Sequence, residues 1–383
     1  MLNNIKSENV LNLILDQLKK RIKMNLFKYN KTMLKALNIE KVDFQNFIFL
    51  KEINQKSDIK ILNLGNKNLG NEIIISLIKI KSKDLKKINL YGNNISDIKG
   101  LEKFQFEKLE KLDFSLNKIV DINILEKVNF KELKYLDLSS NHIFNIRVFR
   151  MVKFEKLEKL NLSNNQIENI NVLENVNFPK LKGLIFNGNN ISDIRVLGKV
   201  KFENLEILDL RRNKIKDINI LEKVNFTKLK ELYLSANYIP DIQVLEFVKF
   251  EKLERLHLRS NQIADINILE KVNFRELKHL YLYENNISDI KVLGKVKFVK
   301  LEILELGSNK ISDINVLEKV NFTELKELDL SCNQISDIKV FITINFEKLE
   351  KLEKLDLIFN RIVKSDNKLI IAKLKSKIKN FMI

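Results

Sequence analysis

The chain has 383 residues, 45% hydrophobic and 31% charged, with 68 Lys and Arg against 50 Asp and Glu for a net charge of +18. A single cysteine, Cys332, excludes an intramolecular disulfide framework and suits a reducing compartment. No stretch approaches the roughly 18 apolar residues of a membrane span, and the first residues lack the basic, apolar and small-residue segments of a secretory leader, so the expectation is an intracellular, cytoplasmic or nuclear protein.

Residues 1–55 form the first expected unit. Val10, Leu11, Ile14, Leu15 and Leu18 lie at helical spacing, followed by Ile22, Leu26, Phe27, Met33, Leu34 and Leu37, which predicts a helical N-terminal cap. The order from Glu8 through Leu18 to Leu26-Phe27 also resembles an F-box, the short helical module that docks substrate receptors onto a ubiquitin ligase.

From residue 59 the chain repeats. Between residues 85 and 325 each 24-residue unit reads Leu-x-x-Leu-x-Leu-x-x-Asn-x-Ile-x-Asp-Ile-x-x-Leu-x-x-Val-x-Phe with conservative replacements, and the Asn column runs Asn93, Asn117, Asn141, Asn165, Asn189, Asn213, Asn237, Asn261, Asn285, Asn309 and Asn333. Counting the first Leu as position zero, apolar residues at zero, three and five straddle a short strand whose alternate side chains point inward. The Asn at position eight stands where the chain leaves the strand. Its amide can satisfy backbone groups there, which makes the column structural. Ile at 13, Leu at 16, Val at 19 and Phe at 21 recur by threes, as in a 3₁₀ or irregular turn with one buried face, and Asp at position 12 is placed to cap it. The Phe column, Phe106 through Phe346, predicts an internal aromatic spine. Alternate units match more closely than neighbours, which points to a copied 48-residue pair.

The ends depart from the pattern, as the ends of an array must. In the first repeat Lys67 replaces the ladder Asn, and the last is delayed by three residues at Glu350-Lys-Leu352 before Leu355, Leu357, Asn360 and Ile362. The count is about 13 repeats over residues 56–363, 12 of them with the Asn. Residues 364–383 then predict a closing helix, capped at Ser365-Asp366 and carrying Leu369, Ile370, Leu374, Ile378 and Phe381.

This motif resembles the leucine-rich repeat, in the subclass shared by bacterial internalins and the leucine-rich regulatory subunit of protein phosphatase-1, over roughly residues 59–363. The resemblance implies an α/β solenoid with a curved, parallel concave sheet, a 3₁₀ or irregular convex side and helical caps at both ends. For function it implies a non-enzymatic protein-interaction scaffold with a protein partner of unspecified identity. A ubiquitin-ligase substrate receptor and a phosphatase-1 regulatory subunit are the alternatives.

Outward strand positions two, four, six and seven are where a partner would bind. Position four shows a mainly Asp/Asn background, with Ile185 and Glu305 also in the column, that three consecutive repeats break with Tyr233, His257 and Tyr281; beside them stand Arg255 and His279 at position two, and Arg211, Arg212, Arg259, Tyr283 and Glu284 at positions six and seven. Tyr and Arg dominate interface hot spots. Arg211, facing solvent, should tolerate truncation at a cost under about 0.5 kcal/mol. No catalytic residue, cofactor or metal site is expected: His257 and His279 lack a third ligand, and no glycine-rich phosphate loop is present. Nucleic acid is disfavoured as the main ligand because the lysines recur at fixed repeat positions, with pairs such as Glu126-Lys127 and Glu222-Lys223 reading as solvated convex surface.

Overall fold

The computed structural model describes residues 59–78, 80, 82–344 and 349–383. The N-terminal unit, with its cap and F-box-like readings, and Phe346 lie outside the described residues. Each repeat contributes a three-residue strand at positions two to four, from β1 (Ile61–Asn63) and β2 (Lys87–Asn89) to β12 (Glu327–Asp329) and β13 (Lys354–Asp356), and the C-terminal segment adds β14 (Asn380–Met382). All are parallel and pair in chain order in one sheet. Equivalent positions face one another, Leu208 opposite Leu232 and Leu232 opposite Leu256. The solenoid expected from the repeat pattern is therefore the architecture found.

One repeat shows why. Leu205, Leu208, Leu210, Ile215, Ile218, Leu221, Val224 and Phe226 are all buried in the single continuous core, each large aliphatic contributing about 1.5–3 kcal/mol by leaving water. The spacing of Ile218, Leu221 and Val224 by threes matches a 3.0-residue turn, and among the described residues the return paths hold ten 3₁₀ turns from η1 (Lys99–Lys103) to η10 (Asn315–Glu318). The Asp at position 12 does secure these turns, but from one residue outside the cap. Asp217 Oδ1 accepts from the N–H of Asn219 at 2.8 Å, whereas the cap residue is Ile218.

The Asn column joins neighbouring repeats. Asn213 Nδ2 donates to the carbonyls of Leu210 and of Phe186 one repeat earlier, each at 3.0 Å, and its Oδ1 accepts from the N–H of Ile191 at 3.0 Å. Carbonyls that have left the strand ladder and an N–H that has not entered a turn thus find partners in one side chain. Position seven, just before it, takes the left-handed conformation in repeat after repeat, including Ser140, Arg212, Glu284 and Ser308, with Gly92 and Gly188 at the same position.

Charged residues on the flanks pair between repeats more than within them. Lys134 meets Glu110 at 2.9 Å, Lys182 meets Glu158 at 2.9 Å and Lys326 meets Glu302 at 2.6 Å, while the neighbours Glu222 and Lys223 lie 3.9 Å apart. Such exposed pairs each contribute little.

The C-terminal segment departs from a simple helix. The helix Lys368–Lys377 starts after Asn367 with no side-chain cap; Ser365 bonds instead to Asp366. Leu369 is 87% exposed rather than inward. Beyond Ile378 the chain returns as β14, where Phe381 stands opposite Leu355. An aromatic followed by extended apolar residues favours a strand on a half-buried sheet position over a further helical turn.

Replacing Asn213 by Ala should cost about 3 kcal/mol in urea melts, since several buried backbone groups lose their partner at about 1–3 kcal/mol each before relaxation. Ser308→Gly, which relieves a left-handed side-chain residue, should raise stability by about 0.5–1 kcal/mol.

Candidate concave-face interface

The candidate residues lie along five adjacent strands: β7 (Ile207–Asp209), β8 (Glu231–Tyr233), β9 (Arg255–His257), β10 (His279–Tyr281) and β11 (Ile303–Glu305). The position-four background around them has a structural purpose. Asp113, Asp137, Asn161, Asp209, Asp329 and Asp356 each accept a hydrogen bond from the N–H two residues on, at 2.8–3.1 Å. This staple holds the strand end as it turns. Tyr233, His257 and Tyr281 do not make it; the Arg259 N–H goes to the Ser235 hydroxyl at 3.2 Å instead.

What replaces the staples is a stack of rings. Tyr233 and His257 have centroids 4.4 Å apart, His257 and Tyr281 4.1 Å with nearly parallel planes. The Arg211 guanidinium covers the outer face of the series, 4.5 Å from the Tyr233 ring. Parallel in-register strands place equivalent residues about 4.8 Å apart, close to ring-stacking distance, so three planar residues in one column stack without backbone distortion.

Carboxylates fix the rest. Glu231 accepts from the Tyr233 hydroxyl at 2.5 Å through one oxygen and from Arg255 at 2.6 Å through the other. Arg255 Nε reaches His279 Nδ1 at 3.2 Å, and the Tyr281 hydroxyl lies 3.4 Å from the same nitrogen. Arg259 sits over Tyr283 at 5.0 Å and approaches Glu305 at 3.3 Å, an ion pair whose alignment leaves Glu305 Oε2 without a hydrogen bond.

Burial, reinforced by Arg211, His279, Arg255 and Arg259, pushes the His257 pKa down to about 3, and its Nε2 is buried without a partner. Burial and then Arg255 lower His279. Burial raises Tyr281 and Glu305, and burial with the bond to Glu231 raises Tyr233.

Eight of the ten sequence candidates share this surface. Arg212 and Glu284 do not: both occupy the left-handed position-seven turn, exposed where the chain leaves the sheet, with Glu284 taking a bond from the Ser260 hydroxyl. Position seven is thus a turn position rather than a strand-face position. Arg211 also differs from expectation. It grips Asp209 with two nitrogens, at 2.9 and 2.5 Å, and Asp209 is only 4% exposed. Sequence reasoning passed over Asp209, Glu231 and Glu305, which position the arginines and Tyr233. Their signal was the pairing of positions two, four and six on one face across neighbouring repeats. Among the described residues no group of three or more His, Cys, Asp or Glu is placed to hold a metal, and no helix is long and apolar enough to cross a membrane.

Comparison with known families agrees with the geometry. A model of paired leucine-rich repeats matches residues 179–223, 203–247 and 275–319, and single-repeat models match residues 156–176 and 323–338. The chain is a leucine-rich repeat protein. It is similar to the solved internalin InlF of Listeria monocytogenes, with 28% identity and a TM-score of 0.70 over 87% of this chain and 92% of that one. A leucine-rich repeat protein of Leptospira interrogans shares the fold at 21% identity and TM-score 0.63, over 87% and 97% of the two chains. So does the plant peptide hormone receptor RGFR1, solved in complex with RGF2, at 17% identity and TM-score 0.56, over 87% and 61%. A search of curated proteins found no match.

Arg211→Ala strips two charge-assisted bonds from a nearly buried carboxylate, so its cost in denaturant melts should be about 1 kcal/mol after allowance for the exposed guanidinium. Acid should also destabilise the patch. Unfolded, His257 takes a proton near pH 6.5; folded, it stays neutral down to about pH 3. Its stabilising contribution is complete above about pH 6.5 and is lost as pH falls toward 3, because the unfolded chain then binds the extra proton. Between pH 7 and pH 5, a His257→Phe variant should lose less stability than the parent by on the order of 1 kcal/mol.

Proposed function

We propose that this protein is a non-catalytic scaffold that binds a protein partner on the concave sheet, centred on Tyr233, His257 and Tyr281. One observation carries the reading: three consecutive repeats lack the position-four staple that Asp209 before them and Asp329 beyond them make, and place stacked rings there, whereas Ile185 and Glu305, which do not make it either, carry no ring. Tyrosines and arginines held rigid by neighbours bind with little loss of side-chain freedom, which makes them effective interface anchors.

The charge pattern supports a protein over a nucleic acid. Arg211, Arg255 and Arg259 are each engaged by Asp209, Glu231 or Glu305, so the patch offers mixed polar recognition rather than a row of free cations for phosphates. Five strands at about 4.8 Å spacing span about 20 Å, the scale of a loop or short helix. The fold is known with a bound partner, RGF2, in the plant receptor; that analogy bears on the use of the fold and not on the identity of the partner here. Phosphatase-regulatory and ligase-receptor roles rest on resemblance and attach to no feature of this patch.

Partners cross-linked to the protein in its native cell should be recovered by the parent chain and lost from a Tyr233→Ala, His257→Ala, Tyr281→Ala triple variant. With the recovered partner purified, calorimetry should show a loss of about 100-fold or more in affinity, as several hot-spot residues are removed together. Unchanged affinity in a folded triple variant would place the binding surface elsewhere.

A further inference from the structure

Away from the sheet, one return path breaks the charge pattern of the array. Positions 12 and 17 are Asp and Glu in most repeats, as in Asp121 and Glu126 or Asp217 and Glu222; in the repeat beginning at Leu133 they are Asn145 and Arg150, with Phe144 at position 11, Arg147 at 14 and Met151 at 18. Residues 144–151 carry two cations and no carboxylate. Each corresponding stretch around the other nine 3₁₀ turns carries at least one.

Folding does not require the change. Asn145 Oδ1 accepts from the N–H of Arg147 at 3.0 Å, the bond that Asp217 makes in its own turn at 2.8 Å. The next repeat does the same with Asn169, which accepts from Asn171 at 2.8 Å. Two adjacent repeats thus keep the turn and drop the charge. The side chains freed of carboxylates surround a recess of about 660 Å³ lined by Phe144, Arg147, Arg150, Asn171, Val172 and Glu174 among others. Phe144 is 58% exposed and Met151, at the far end of the same turn, 55%. Glu174, the carboxylate at the recess, is engaged by Lys199 at 3.0 Å. Among the described residues, Arg147 and Arg150, like Arg212, Arg275 and Arg361, have no carboxylate within ion-pair distance, whereas Arg195, Arg211, Arg255 and Arg259 do.

We propose that this recess is a second docking site, separate from the concave face, for a short acidic segment of a partner protein that seats an apolar side chain against Phe144 and its carboxylates on Arg147 and Arg150. Guanidinium groups bind carboxylates through paired hydrogen bonds, and an exposed aromatic beside them supplies the apolar anchor that surface pairs lack. A lipid surface or a nucleic acid fits less well. Both need an extended array of cations, whereas Asp121 and Glu126 before the recess and Glu168 and Glu174 after it would face a long phosphate surface. A compact anionic segment can meet the two arginines while meeting, of those carboxylates, Glu174 alone at the recess, which Lys199 already pairs.

The probe is a displayed library of random octapeptides, panned on the full chain. The expected consensus has at least two acidic residues flanking an aromatic or branched apolar one. A fluorescein-labelled synthetic copy should then bind with polarisation changes that weaken at least tenfold in an Arg147→Glu, Arg150→Glu variant and several-fold in Phe144→Ser. Its binding should not change in Tyr233→Ala, which separates this site from the concave one. All four substitutions are at exposed or half-exposed side chains, and circular dichroism confirms folding. The proposal is overturned by a consensus without acidic residues, or by peptide binding that survives charge reversal in the folded variant. It is also overturned if phosphatidylserine vesicles or oligothymidine bind the parent chain at the same ionic strength and lose binding in the charge-reversed variant, since the recess would then be a phosphate site.

Discussion

The bond between each position-eight asparagine and the repeat before it is the constraint on which the rest of the molecule depends. A solenoid turn must leave its strand every 24 residues, and each departure strands carbonyls and N–H groups that would be costly to bury unpaired. Asn213 settles three of them at once, two in its own and the preceding repeat's strand ends and one at Ile191. Because the same amide ties two repeats, register and spacing are fixed together. The parallel strands then fall into exact alignment of equivalent positions, Leu over Leu and column over column. The inward leucines become a continuous core, and the outward residues become ordered rows. Surface chemistry in this protein is therefore written in columns, and any departure in a column is displayed beside its unaltered neighbours.

This is also why so much was legible in the sequence. The Leu, Asn and Phe columns mark core and ladder, and the 3₁₀ turns follow from spacing by threes in Ile218, Leu221 and Val224. The candidate patch was visible as Tyr233, His257 and Tyr281 breaking a background. Other features depended on three-dimensional neighbours that no column shows. Asp209 looks like background until Arg211 closes on it, and Glu231 like ordinary surface until it holds Tyr233 and Arg255 together. Arg212 and Glu284 were misplaced because alternation stops where the backbone turns left-handed. At the C-terminus, one helical period covers Ile370 and Leu374, but the choice of strand at Phe381 was made by the open sheet position beside β13.

The two surfaces use opposite strategies on one scaffold. On the concave side, Tyr233, His257 and Tyr281 stand where a stabilising staple would be, and the rings, guanidiniums and carboxylates around them lock one another in position. At Asn145 and Asn169 the stabilising bond is kept and only its charge is removed. The first changes the shape and rigidity of the surface. The second changes the local field while leaving the backbone alone, and it leaves Arg147 and Arg150 without the carboxylates that restrain Arg195, Arg211, Arg255 and Arg259.

The strand offsets at the two ends of the sheet carry a different consequence. Most neighbouring strands are 24 residues apart, yet β1 and β2 are separated by 26, β12 and β13 by 27, and β13 and β14 by 26, with pairing still in register. The added residues are absorbed entirely by the return path. Lengthening is thus decoupled from alignment: the convex side can accept inserted chain as local bulk, while the concave rows stay in step. For an engineer, the return paths are the natural ports for grafted loops or labels. For evolution, they are where such an array can acquire new segments without erasing the surface that it already presents.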